Sequence, residues 1–272
     1  MPASWWPLIA GYAPSIGRYA LVAFSSPLLL WALASIFTNI QKRRERARAA
    51  SRVVATQLDP LLKAADELQG KLRSLAEEDF AEFREIANDS LPPVDLVNLC
   101  SALYLFAQFW GRLEILRRES FQVELARNNQ GRVLLRFLRC LESRRVRLVD
   151  RAWQRAIGES VVVTGQPAAD VLAFKAFAEQ YETTARLRGW FRPLENLLRE
   201  TKYPRARERV LQYGVIVHAL IDTLDPNHYT TKERPAYPNK LSRRAKRDLI
   251  GRVFDIYLTD VRRPEKYTGI QP

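Results

Sequence analysis

Cysteine is nearly absent from this chain: two residues in 272 leave nothing from which to build a disulfide framework, a usage that fits a reducing cytosol. Cys100 and Cys140 each fall inside an apolar, helix-like run, where a free thiol behaves as a small hydrophobe. Neither a CxxC pair nor any zinc-finger spacing occurs, which excludes a structural zinc site of the usual kind. The short motifs that carry chemistry are missing too: no Gly-rich phosphate loop, no GxSxG elbow, no HExxH and no EF-hand loop. There is no repeat of fixed period and no low-complexity run. Histidine is as scarce as cysteine, with only His218 and His228. No metal and no cofactor is expected from this pattern.

Charge is absent where it matters most. From Tyr19 to Ile40, YALVAFSSPLLLWALASIFTNI, there are 22 consecutive positions without a charged side chain. A helix rising about 1.5 Å per residue over that length is roughly 33 Å long, enough for a hydrocarbon core of about 30 Å. The stretch is followed by QKRRERARAASR, in which Lys42, Arg43, Arg44, Arg46, Arg48 and Arg52 oppose Glu45 alone. Positive loops stay on the cytoplasmic side, so residues 19–40 are expected to be a single transmembrane helix with residues 1–18 outside and the rest inside. Those six basic side chains are the expected grip on anionic headgroups. Trp5, Trp6, Tyr12, Tyr19 and Phe37 suit the interfacial belts, and Pro27 is a mid-span kink of the sort membrane helices accept. Two rivals exist. A cleavable signal peptide could use Leu21 to Leu33 as its core with Ala32-Leu33-Ala34 as the cut, but it lacks a positive leader and the apolar run continues past the cut. The other is a buried helix of a soluble domain, which the following basic cluster disfavours.

What is abundant is positive charge: the formal net charge is +13, and of 43 basic residues nine are lysine and 34 arginine. Arginine's planar fork suits phosphate and carboxylate, so anionic lipid, an acidic protein surface, a second copy of the chain or, less favoured, nucleic acid are the partner classes. The alternative is arginine on solvated faces of an arginine-rich proteome. One segment goes the other way. Residues 59–89 hold nine acids against four bases, net −5, a natural counterpart for a basic element in the same chain or a second copy.

Beyond the basic cluster the chain reads as helices. Val54, Leu58, Leu61, Ala65, Leu68, Leu72 and Leu75 form a seam at alternating spacings of four and three, which serves either a coiled-coil dimer or the chain's own bundle, with Asp59-Pro60 expected to break or kink it. Leu91-Pro92-Pro93 punctuates. Val94 to Trp110 is apolar almost all round, the pattern of a central buried helix; a second membrane span is the rival, which Asp95, Asn98, Ser101 and Gln108 disfavour. Phe121 to Ile157 reads as one long amphipathic stretch whose polar face carries Arg136, Arg139, Arg144, Arg147, Arg151 and Arg155. That face is either solvated, answering the acidic segment, or a surface for phosphates. Gly158 to Pro167 could make a short strand but offers it no partner. Helices are expected over 168–182, 193–200, 203–224 and 241–258, with a polar basic loop after Asp225-Pro226 and a frayed tail from Arg262.

The expected fold is therefore all-α: residues 1–18 as a short N-terminus, 19–40 as the span, 41–90 as a basic juxtamembrane and coiled-coil-like region, 91–224 as a helical bundle of about six or seven helices in all, and 225–272 as loop, helix and tail. The expected function is interaction at the bacterial inner membrane, as scaffold, adaptor or regulatory subunit. The alternative from a different class is a membrane-tethered hydrolase or metal-dependent enzyme using His218, Asp222 and Asp225, because a helix stacks one imidazole and two carboxylates at spacings of four and seven. A histidine simply bonded to Asp222, with Asp225-Pro226 ending the helix, explains the same spacing. His228 reads as ordinary surface. The third reading is nucleic-acid binding through the Arg136–Arg155 face.

Overall fold

A helix that is apolar on every side must be surrounded, and the sequence supplies one in α3 (Pro93–Glu119). In the computed structural model the described backbone covers residues 13–84, 93–119, 125–126, 128–165 and 169–270; side chains are described within these ranges except at 13–30 and at scattered positions between 43 and 53, at 84 and at 93–96. The chain is predominantly helical: α1 (Ala13–Glu77), α2 (Ala81–Arg84), α3, α4 (Asn129–Leu141), α5 (Arg151–Ser160), α6 (Phe174–Thr183), α7 (Ala185–Arg199), α8 (Pro204–Leu224), α9 (Arg243–Leu249) and α10 (Glu265–Thr268). Two compact units divide at Ala49 and Ala50.

The first unit, residues 1–49, includes the N-terminal part of α1. Trp31, Leu33, Ile36, Phe37 and Ile40 are exposed there, Trp31 by 71% and Phe37 by 62%. Among the described residues no helix is long and apolar enough to cross a membrane. The expected span, however, includes Tyr19 to Leu30, whose side chains lie outside the described residues, as do those of Arg43, Arg44, Arg46 and Arg52. Lys42 and Arg48 are exposed. Trp5, Trp6 and Tyr12 also fall outside what the structure describes.

The second unit, residues 50–272, holds the core. Val54, Leu61, Ala65, Leu68, Leu72 and Leu75 are all buried within the one chain, so the seam is used by the chain's own bundle and is not available for a coiled-coil dimer. The helix also runs through Asp59-Pro60 without the expected break. Proline in a helix interior loses one hydrogen bond, but burial of Leu61, Leu62, Ala64 and Ala65 on the next turn holds the segment in place. α3 is the centre: Leu99, Leu103, Phe106, Ala107, Phe109, Trp110, Leu113 and Leu116 are buried, and Trp110 Nε1 donates to the fully buried Tyr213 hydroxyl on α8 at 2.7 Å.

α3 and α5 cross closely because neither has a side chain at the crossing. A Cβ at Gly158 would lie 2.8 Å from the Trp110 carbonyl oxygen, and one at Gly111 would lie 3.2 Å from the Gly158 carbonyl oxygen.

The amphipathic stretch from Phe121 to Ile157 is not one helix. Its start, Phe121 to Glu124, lies outside the described residues, and the rest is split into α4 and α5 by a turn over 142–150. Each half has its own cap: Asn128 Oδ1 accepts the Gln130 and Gly131 amides at 2.9 and 3.3 Å, and Asp150 Oδ1 accepts the Ala152 amide at 3.0 Å. The strand expected near Val162 does find a partner. β1 (Val162–Val163) pairs antiparallel with β2 (Asp170–Val171), Val162 opposite Val171, and so α6 starts at Phe174 rather than Ala168. α7 begins at Ala185, eight residues before the short helix expected from Pro193, which it contains. The last expected helix ends early, as α9 passes into a π-turn over Ile250–Phe254.

The tail expected to fray from Arg262 is docked instead, with Tyr267 and Thr268 of α10 buried. The loop after Asp225 is not free either. Arg234 Nε and Nη2 donate to Asp66 at 3.0 Å each, and Lys240 Nζ lies 3.1 Å from Asp79. Among the described residues, Asp66 of α1 and Asp79 just after it thus take counter-charge from Arg234 and Lys240. Asp89 and Glu85 of the acidic segment lie outside the described residues.

Replacing Gly158 with alanine should lower stability by about 1–3 kcal/mol through overpacking against the α3 backbone. A thermal melt of the purified chain measures it, and an unchanged midpoint would contradict the close crossing.

Candidate functional site

α8 carries the residues singled out for chemistry, and two are adjacent. His218 Nε2 is 3.6 Å from Asp222 Oδ1, as a spacing of four on a helix predicts. Asp225 is not with them. Its carboxylate turns to the loop that follows, accepting the amides of Tyr229, Thr230 and Thr231 at 2.9, 2.9 and 3.0 Å and the Thr231 hydroxyl at 2.9 Å. Burial pushes the Asp225 carboxyl up, but these four donors outweigh it and hold the group below its ordinary value.

The residues that sequence reasoning missed come from the loop and the tail. His228, with a left-handed φ of 52°, brings its Nε2 to 3.5 Å from the same Asp222 Oδ1, while its Nδ1 is 3.1 Å from the Thr231 hydroxyl. The turn built on Asp225 thus positions the second histidine. From α10, Lys266 Nζ and the Tyr267 hydroxyl both donate to Asp222 Oδ2, at 2.6 and 2.7 Å. The Tyr267 ring stands edge-on to His218 at 5.3 Å between centroids and stacks on Phe254 at 5.9 Å. Both histidines of the chain therefore meet one carboxylate. The available signal was compositional: a Lys-Tyr pair in an otherwise polar tail, and an aspartate four residues from one of only two histidines.

The electrostatics follow from burial. His218 is fully buried, and desolvation pulls its imidazole below the ordinary 6.5; Asp222 opposes the shift, while the charges of Lys266 and His228 add to it. The Arg234 backbone beside the ring works against the shift as well. Neither His218 Nε2 nor Asp222 Oδ1 makes a hydrogen bond among the described residues. Burial, then the bond to Asp222, raises the Tyr267 hydroxyl, so it is a firm donor at neutral pH.

This cluster ties three elements together: α8, the 225–231 turn and α10. Among the described residues no group of three or more His, Cys, Asp or Glu side chains could hold a metal ion. The two thiols are inert, since burial pushes Cys100 up to about 11, with Glu182 and Glu195 adding to it, and Cys140 up to about 12.

Four of the six arginines of the expected basic face have carboxylate partners. Arg136 bonds Asp260 at 2.7 Å, Arg147 bonds Asp150 at 2.9 Å, and Arg151 and Arg155 both approach Glu142, at 3.5 and 3.1 Å. Glu142 also takes Arg117 Nη2 from α3 at 2.5 Å, so one half-buried carboxylate gathers three arginines from two helices. Arg139 and Arg144 are exposed and make no ion pair among the described residues. No protein-family model, curated protein sequence or solved structure matches the chain.

Tyr267→Phe should cost about 1.5–3 kcal/mol, the range for a hydrogen bond to a charged acceptor. The stability that neutral His218 contributes is present above pH 6.5 and lost as pH falls from there toward its lower folded value, because the unfolded chain then binds the extra proton. Melting midpoints of wild type and His218→Asn across pH 5 to 8 measure this. The wild-type midpoint should drop below pH 6.5 and that part of the drop should vanish in the variant; parallel curves would refute the assignment.

Proposed function

We propose that this chain is a membrane-anchored helical interaction protein. Residues 19–40 form a single transmembrane helix with the N-terminus outside, and the helical body of residues 50–272 acts in the cytoplasm as scaffold, adaptor or regulatory subunit. The observation that carries the reading is the run of exposed Trp31, Leu33, Ile36, Phe37 and Ile40 within a stretch that holds no charge. Large apolar side chains left outside a core in such density mark a surface that meets lipid or protein. The basic cluster from Lys42 to Arg52 favours lipid, since juxtamembrane bases contribute about 1 kcal/mol each near an anionic leaflet.

Tethering does two things for an interaction protein: it raises local concentration and it fixes orientation. The partner the charge suits is an acidic protein surface or a second copy of the chain, met by bases that the fold does not neutralise internally.

The anchor is tested in cells. The wild-type chain should stay with membranes through alkaline carbonate extraction and leave only with detergent. Leu29→Arg with Leu30→Arg places two arginines at the middle of the span, at about 2.5–3.5 kcal/mol each, and should move the chain substantially into the soluble fraction. A wild-type chain already soluble after detergent-free lysis would overturn the proposal.

A further inference from the structure

We infer that the cleft between the first turns of α8 and helix α9 is a site for a phosphate or diphosphate group carried on a small molecule or a lipid headgroup. The cleft lies within residues 50–272 and does not depend on the anchor. It has two lobes. The larger, about 640 Å³, is walled by Arg205, Arg209 and Arg244 with Glu208 and Asp248. The smaller, about 140 Å³, adds Arg145 and Arg252. Gln212 and Asp248 line both, which makes the lobes adjoining parts of one depression.

Five arginines face two carboxylates there, and both carboxylates are already engaged. Glu208 Oε1 accepts the Ser242 amide at 3.3 Å, and Asp248 lies 3.9 Å from Arg244 and 3.3 Å from Arg252. Arg145 and Arg205 make no ion pair among the described residues. Arg205 and Arg209 stand four apart on α8, a like-charge spacing that is unfavourable unless an anion sits by it. Arg209 is fixed on the wall by bonds from Nη2 to the carbonyls of Arg147 and Leu148 at 3.2 and 2.8 Å. Burial first, and then the charge of Arg205, lowers its guanidinium from the ordinary value. Pro204, also on the wall, opens this 21-residue helix, and the cap residue Tyr203 offers it no side-chain acceptor. The positive end of the helix dipole therefore adds to the same field.

The lining also selects among anions. Arginine forks match the paired oxygens of a phosphate, and a multivalent group can engage several forks at once. Among the described residues no aromatic side chain lines either lobe to offer a stacking platform for a nucleobase. Val146, Leu249 and Val253 in the smaller lobe suit a short aliphatic body beside the anionic head. The larger lobe is of small-molecule size, within the range of about 300–1,000 Å³.

The test uses the full chain in detergent, with inorganic pyrophosphate as one probe and phosphatidic acid in mixed micelles as the other, each titrated calorimetrically at constant ionic strength. The variant is Arg205→Gln with Arg244→Gln. Its charge-matched control is Arg139→Gln with Arg262→Gln, exposed positions outside the cleft. Saturable binding of pyrophosphate, weakened at least tenfold in the cleft variant and unchanged in the control, supports the site and identifies a soluble ligand. The same pattern with phosphatidic acid alone supports it and identifies a headgroup. No saturable binding of either probe, or equal weakening in variant and control, overturns it. Melting midpoints of both variants close to wild type verify that the fold is intact.

Discussion

The constraint on which the second unit depends is that α3 has no polar side to give to solvent over most of its length. Burying an apolar side chain is favourable by about 25 cal/mol per Å² removed from water, and α3 offers such surface in every direction from Leu99 to Leu116. It must be wrapped. The glycine crossing with α5, the aromatic groups of α6 and α7 and the Trp110–Tyr213 bond to α8 are all answers to that one demand. The glycines matter because backbone-to-backbone approach leaves no channel for water along the buried helix. A bundle built round one central helix also explains why so many later elements are short: each needs to cover only a sector.

Charge is distributed by the same wrapping. The acidic end of α1 could be neutralised by any basic element, but the chain that passes over it is the loop before α9, and so Asp66 and Asp79 are met by Arg234 and Lys240. The arginines of α4 and α5 are left to a local solution. Glu142 follows the last residue of α4, where Arg151 and Arg155 of the next helix and Arg117 of α3 can reach it. A carboxylate among three guanidiniums still leaves positive charge over, and so does the cleft beside α8. The surplus in composition is thus partly concentrated in local fields.

Periodic residues could be read correctly from sequence, and contacts across the fold could not. The α1 seam, the buried centre of α3 and the extent of α8 all follow from spacing alone, because a spacing of three and four is a property of one helix. The division of 121–157 was available in Asn128 and Asp150, good helix caps, but the arginine period ran across the turn and disguised it. The Val162–Val171 pairing was hidden because its two halves are two residues each, too short for alternation to register. The docked tail and His228 were out of reach for a deeper reason. What holds Tyr267 in place is Asp222, 45 residues earlier, and what aims His228 is a turn made by Asp225's side chain. Neither is a local property of the segment concerned.

That same cluster shows why a constellation read from helical spacing is a weak guide to chemistry. His218 and Asp222 are adjacent as their spacing requires, yet the oxygen of Asp222 that faces away from the histidines is held by both an ammonium and a phenol. A general base needs a lone pair that substrate can reach, and Asp222 Oδ2 is already taken by two short donors. The other oxygen faces two imidazoles, one of them fully buried. The polar groups on α8 are arranged first to close the C-terminal segment over the bundle. Reactivity at Asp222 would require α10 to lift, which would expose Tyr267 and Phe254 together. That opening would give up both the burial of Tyr267 and its bond, with that of Lys266, to Asp222.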